Sequence, residues 1–260
     1  MSYLVVCLVA LVASGLTLFS GFGLGTLLLP AFALFFPVEI AVSATAVVHL
    51  ANNFFKLILV GRHANARAVL AFGLPAIPGA LVGATALAYL STLPALARYT
   101  LFDRELSVTG VKLVIAVLIA VFAVLELTPA ADRLSFRSRW LTVGGLLSGF
   151  FGGVSGHQGA LRSAFLIQIG LTKQAFIGTG VVCAVLVDLT RIAVYGSAFS
   201  SGSGAGERLD AGLIAAATAA ALIGALLGVR LLGKVTLTFV RRLVGCMLLL
   251  LALAMGLGLV

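Results

Sequence analysis

Acidic side chains are scarce in this chain: Asp and Glu number 8 in 260 residues, against 17 Lys and Arg. The surplus gives a net charge of +9, yet the basic residues stand singly or in small groups at the ends of apolar runs. A nucleic-acid interface needs a concentrated basic patch, so no nucleic-acid partner is expected. Cysteine is nearly absent too. Cys7, Cys183 and Cys246 each fall within an apolar run, which excludes a disulfide framework and leaves them as packing residues. Histidine is rare, and His63 lies in a loop away from His49 and His157. With no His-x-x-x-His pair and no cysteine cluster, no metal and no cofactor is expected. No Lys or Arg precedes Lys56, so the N-terminal run lacks the charged region of a signal peptide and reads as a membrane helix.

What is abundant is apolar surface. Hydrophobic residues make up 62% of the chain, charged ones 10%, and the mean hydropathy is +1.22. Runs long enough to cross a hydrocarbon core of about 30 Å recur from end to end and leave no room for a separate soluble domain. The pattern predicts an all-α polytopic membrane protein of ten segments in two groups of five. The first group is 4–20, 26–36, 40–60, 69–90 and 108–127; the second is 140–154, 160–170, 174–195, 211–231 and 240–260. The second segment of each group is too short to span and reads as a half-helix or re-entrant arm.

Each short segment follows a Gly-rich break. The first break holds Gly15, Gly21, Gly23 and Gly25, the second Gly149, Gly152, Gly153, Gly156 and Gly159. A shift of 134 superposes Gly15 on Gly149, Gly25 on Gly159, Ala41 on Ala175 and Thr45 on Thr179. Near the end of each half, Gly79-Ala-Leu-Val-Gly83 matches Gly224-Ala-Leu-Leu-Gly228, at a shift of 145. The difference fits the polar insert 197–208, which reads as an external loop. Backbone that breaks helix at membrane depth, in matching positions of two halves, is how secondary transporters form their sites. The repeats are therefore placed at 1–127 and 140–260, joined by a cytoplasmic connector at 128–139 into one membrane domain.

Orientation follows from the basic residues. Arg62 and Arg67, then Arg133, Arg137 and Arg139, then Lys173, then Arg230, Lys234, Arg241 and Arg242 fall on one side by parity. The other side holds Arg98, Arg104 and Arg208, offset by Asp103, Glu105, Glu207 and Asp210. The first set is cytoplasmic, which puts both termini outside. Because five is odd, the two halves insert with opposite orientation, as inverted-topology repeats.

Polar residues inside the apolar runs are the candidate site. His49, Asn52, Asn53 and Lys56 share one helix face at spacings of three and four. Facing lipid would be costly, so the face turns to protein or water; a hydrogen-bond network with a snorkelling lysine is the plainer alternative. His157 and Gln158 sit at the second break, and Arg162 lies one turn into the short segment after it. Unpaired N–H groups at a helix start suit an anion, and a guanidinium fork matches an oxyanion. Asp188 and Arg191, at i and i+3, read either as a structural ion pair or as a coupling pair.

The two breaks, Pro30 after the first, the Ala41-x-x-x-Thr45 and Ala175-x-x-x-Thr179 repeats and the chain length together resemble the TauE/SafE family of sulfite exporters. The resemblance covers nearly the whole chain. It implies a multi-pass protein of the bacterial inner membrane that exports sulfite or a related sulfur oxyanion or organosulfonate. Two departures stand out. The family often has three consecutive glycines in each break, where this chain has Gly23-Leu-Gly25 and Gly156-His157-Gln158-Gly159; and the usual proline after the second break is Ala164 here.

The expectation is an anion exporter, not an enzyme, with its site between the halves and alternating access between them. His157, Gln158 and Arg162 would hold one face of the anion and His49, Asn53 and Lys56 the other, while Gly21, Gly23, Gly25, Gly156 and Gly159 let backbone approach it. The rival readings are an anion channel and a membrane enzyme using His49, His157 and Asp188 as acid and base. Coupling to protons and oligomeric state, a homodimer included, are left open by the sequence.

Overall fold

A computed structural model describes residues 1–17, 24–101, 104–128, 136–200, 210–231 and 237–259. Ten helices run through the described residues: α1 (Ser2–Thr17), α2 (Leu24–Ala33), α3 (Val38–Val60), α4 (Ala66–Ser91), α5 (Gly110–Leu127), α6 (Leu141–Ser155), α7 (Gly159–Leu166), α8 (Lys173–Ser200), α9 (Ala211–Leu231) and α10 (Leu237–Gly256). They correspond one to one with the ten expected segments. Four helical stretches, Val38–His63, Ala66–Ser91, Lys173–Ala198 and Ala211–Gly228, are long and apolar enough to cross a membrane. At 1.5 Å per residue, α2 and α7, with 10 and 8 residues, cannot. Apolar side chains that face outward, such as Leu8, Ile58, Val117 and Leu253, suit a lipid surround.

The helices show why their sequences break where they do. Pro75 and Pro78 lie in the middle of α4, where each lacks an N–H and presses its ring on the preceding turn. The helix widens to a π turn over Val69–Gly73, just ahead of them. Helix α6 stops at Gly156, whose φ of 80° is left-handed and whose N–H reaches the Gly152 carbonyl. A Cβ there would also stand 2.9 Å from Arg191 Nη1, so glycine is required on two counts.

Small residues set the packing. Gly145, Gly149 and Gly153 of α6 lie against the carbonyls of Phe72, Ala76 and Ala80 of α4, where a Cβ would come within 2.0–2.4 Å of oxygen. Gly79 and Gly83 meet Leu146 and Phe150 from the other side. The same contact recurs between α1 and α9: Gly224 faces the Leu11 carbonyl and Gly228 the Gly15 carbonyl. Thus the first helix of each half packs on the fourth of the other, with backbone on backbone. Helix α5 pairs with α10 and α3 with α8, so elements of one half repeatedly meet their opposite numbers. The larger apolar core joins α1, α2, α3, α5, α9 and α10, and a smaller one under α7 holds Phe72, Leu141, Phe165, Leu166 and Cys183.

Two features depart from the sequence reading. A β-hairpin, β1 (Ala95–Leu101) and β2 (Arg104–Thr109), precedes α5, with Tyr99 opposite Leu106 and Leu101 opposite Arg104. Its strands alternate apolar and polar residues over a stretch too short to stand out among membrane runs. Thr109 ends it by capping α5 through the Lys112 N–H, Lys112 Nζ donates to the Ser107 carbonyl at 3.0 Å, and Tyr99 ties the hairpin to the Leu257 carbonyl. Helix α8 continues to Ser200, so the start of the expected external loop is helical. Residues 201–208 of that loop, most of the connector, and Gly21 and Gly23 lie outside the described residues.

At the start of α9, Asp210 accepts the Leu213 N–H at 3.1 Å and the Tyr3 hydroxyl at 2.9 Å. The Leu213 N–H, and then the Tyr3 hydroxyl, hold this exposed carboxyl below its ordinary range.

Candidate functional site

The inward face of α3 carries the first part of the site. Asn52 and Asn53 are buried, Lys56 is 8% exposed, and His49 is largely covered. Across from them, α6 ends at Gly156, and Ser148 Oγ donates to the Gln158 carbonyl at 2.9 Å. That bond folds the break back against α6 and sets Gln158 at the head of α7. Arg162 follows one turn later, buried, and Asp188 and Arg191 project from the middle of α8.

Asp188 is the hub. Its Oδ2 accepts from His49 Nδ1 at 2.7 Å and from Asn53 Nδ2 at 3.0 Å. Its Oδ1 accepts from Gln158 Nε2 at 3.1 Å, and from Arg191 Nε at 3.1 Å and Nη2 at 2.7 Å. Four side chains from three helical regions therefore satisfy one fully buried carboxylate. Such saturation is what makes a buried charge tolerable, and removing the carboxylate would strand Arg191. The geometry also fixes the histidine: with Nδ1–H given to Asp188, Nε2 is the nitrogen left for other chemistry. Arg191 Nη1 donates to the Gly152 carbonyl at 3.3 Å, binding α8 to the end of α6, and the Tyr195 hydroxyl does the same at the Gly153 carbonyl.

Beside the hub opens a cleft lined by Asn53, Lys56, Arg162, Ser163, Leu166, Phe176, Ile177, Gly180 and Val181. Its empty volume is about 380 Å³, open space at the mouth included. Arg162 Nη1 donates to Gln158 Oε1 at 3.4 Å, so the guanidinium is linked through Gln158 to Asp188. Gly180 leaves room for it: a Cβ there would stand 3.4 Å from Arg162 Nε. Two cationic side chains thus share one cleft, while the neighbouring carboxylate is engaged elsewhere. The local balance is positive, and the available groups are N–H and hydroxyl donors, which suits an oxyanion.

The structure brings together His49, Asn53, Gln158, Arg162, Asp188 and Arg191 in one bonded network, with Lys56 lining the same cleft as Arg162. Lys56 does not snorkel to the helix end. Asp188 and Arg191 form the ion pair, and the pair is also the anchor of His49. His157 is placed differently from the expectation. Its ring stacks on Phe122, with centroids 5.3 Å apart, and Nδ1 lies 3.0 Å from the Ser155 carbonyl. The left-handed turn at Gly156 sends successive side chains to opposite sides, so Gln158 faces the hub and His157 faces α5. Gly25 and Gly159 both stand buried in the first turn of a short helix.

Sequence reasoning missed the wall of the cleft. Phe176 and Gly180 lie four apart on α8 and mark one face, but nothing in that spacing says what the face meets. Ser148 and Tyr195, which hold the break, were unmarked polar residues in apolar runs. No group of His, Cys, Asp and Glu able to hold a metal occurs among the described residues.

A family model described as sulfite exporter TauE/SafE matches residues 6–255. No curated protein matches the chain.

Proposed function

The chain belongs to the sulfite exporter TauE/SafE family, and we propose that it carries a small sulfur oxyanion, sulfite or an organosulfonate, out across the bacterial inner membrane. The observation that supports this reading is the cleft lined by both Lys56 and Arg162, beside a carboxylate already met by four side chains. Arg162 offers a planar fork to two oxygens, Lys56 neutralises the remaining charge, and Asn53 and Ser163 supply neutral donors. Asp188 is no ligand for the anion. It orients His49 and Asn53 and, through Gln158, Arg162.

Transport proceeds by alternating access between two inverted repeats, 1–127 and 140–260, with both termini periplasmic. The exchanged packing, α1 on α9 and α6 on α4, supports a two-fold relation between them. An inside-negative potential favours outward movement of an anion by about 2.3 kcal/mol per charge per 100 mV, so export needs no further energy source.

Purified protein in proteoliposomes should move sulfite with saturation, and the recovered solute should be chemically unchanged. Flux linear in concentration would instead identify a channel, and an altered solute an enzyme. The topology has its own test, in protein freed of Cys7, Cys183 and Cys246. Thr100→Cys in the hairpin should label from outside intact cells and Arg137→Cys should not; labelling of both from one side removes the inverted repeat.

A further inference from the structure

The polar stripe of α3 does not end at His49. Thr45 stands one turn further along the same face, four residues before His49, with Asn53 and Lys56 following on the other side. Thr45 is 2% exposed, and its hydroxyl makes no hydrogen bond. Its counterpart in the second half, Thr179, is satisfied: it accepts the Asn65 N–H at 2.9 Å. A second unmet group lies near by in α3. Asn52 is fully buried, its Oδ1 takes the Ser14 hydroxyl at 3.1 Å, and its Nδ2 has no partner. Buried polar groups without partners are rare in native proteins, and each requires a reason.

Thr45 borders the start of α2, and Asn52 is tied to the end of α1. A Cβ on Gly25 would lie 3.7 Å from Thr45 Cγ2 and 3.5 Å from His49 Cδ2, so Thr45 and His49 flank the first turn of this ten-residue helix. Ser14, which fixes Asn52, is in the last turn of α1, just before the break that leads there. The first N–H groups of a helix have no partner within it and carry partial positive charge. A hydroxyl, an amide N–H and a helix start are together a donor set, and donors call for an anion.

We propose that a second anion stop lies at the start of α2, on the far side of His49 from the Arg162 cleft, with Thr45 Oγ1, Asn52 Nδ2 and the first-turn N–H groups of α2 as its donors. The proposal rests on the cleft being the first stop for the same anion. His49 is the divider. One edge of its ring is bonded to Asp188 beside the cleft, and the other looks toward Gly25. An oxyanion leaving Arg162 exchanges that fork for weaker, neutral donors, which suits a position it must vacate.

The test is Thr45→Val, which keeps the shape and removes the hydroxyl. A hydroxyl that makes no bond in the resting protein contributes no stability there, so the melting temperature should hold or rise. Sulfite affinity at the cleft, read by titration calorimetry, should stay within about twofold, while sulfite flux in proteoliposomes falls about tenfold, the loss of one bond to a charged group. Thr45→Ser should restore most of the flux. Normal flux in Thr45→Val would leave the hydroxyl as a host for water alone, and loss of affinity together with flux would make one site of the two; either result overturns the second stop. Arg162→Gln, run alongside, separates the two readings. If it binds and carries sulfite normally, the cleft falls and the second stop with it; if it loses binding while Thr45→Val transports normally, only the second stop falls.

Discussion

The two short helices stand in matching places and have opposite chemistry. At a shift of 134, Leu24 corresponds to Gln158, Gly25 to Gly159 and Leu28 to Arg162. All six are buried, so the difference is not one of exposure. The head of α2 buries its side chains in the main apolar core, whereas the head of α7 hands its own to Asp188 and the cleft. The long helices reverse the assignment: His49 and Asn53 of α3 correspond to Cys183 and Val187 of α8. Polar residues of the first half's long helix and of the second half's short one therefore gather around Asp188 and the cleft, whereas their counterparts lie in separate apolar clusters. This chain thus carries its buried charge on one of two sets of segments that match in sequence.

The sharpest way to break that comparison is to exchange the chemistry. Arg162→Gln should lower sulfite affinity by roughly a hundredfold or more, as expected when the planar fork lining the cleft is removed. Arg162→Lys should cost about tenfold, since charge is kept and the paired donors are lost. Leu28→Ala, its counterpart, should act on the fold alone, lowering stability by about 2–5 kcal/mol with affinity unchanged in the folded fraction. Calorimetric titration and thermal unfolding in detergent measure both; equal affinity loss in the two would erase the asymmetry.

Next in size is the hub. Asp188→Asn should destabilise the protein by about 3–5 kcal/mol by leaving the Arg191 guanidinium buried without its counter-charge. The double variant Asp188→Asn with Arg191→Met should recover part of that loss, because no unpaired charge remains. A double variant no more stable than the single would mean that hydrogen bonds to His49 and Gln158, rather than charge, carry the effect.

Glycines sharpen the comparison by geometry. Gly149→Ala puts a methyl 2.0 Å from the Ala76 carbonyl and should prevent accumulation of folded protein, whereas Gly25→Ala meets His49 and Thr45 at ordinary contact distance and should fold. Accumulation in the membrane fraction distinguishes them.

The smallest effect belongs to Asp210, exposed at the start of α9. A carboxyl held below its unfolded value stabilises above that value, about 4 for Asp, and the contribution is lost as pH falls through the folded value. The melting-temperature gap between wild type and Asp210→Asn should therefore be present at pH 7 and close as the pH drops below about 4.

Much of this was legible because membrane sequences state their elements plainly. The bounds of α9 coincide with the expected segment 211–231, which begins after Asp210 and carries only Thr218 as a polar residue before Arg230. The α3 face could be read from a single helix, since spacing alone places His49, Asn53 and Lys56 together. The join of His49 to Asp188 could not, because those residues are 139 apart in sequence and meet only through the packing of α3 on α8. The direction of His157 was equally hidden. It depends on one left-handed residue, and no periodicity carries across a break.

The contact between α4 and α6 has a mechanical consequence. Knobs seated in holes resist sliding, because each tooth must climb out before the next seat is reached. Here carbonyl oxygens rest on bare glycine Cα atoms at Gly79, Gly83, Gly145, Gly149 and Gly153, and α1 meets α9 in the same toothless manner. Such a surface adheres through many small Cα–H contacts yet sets little register of its own. The α4–α6 seam is therefore a bearing, and the bond from Arg191 to the Gly152 carbonyl holds the end of α6 against α8.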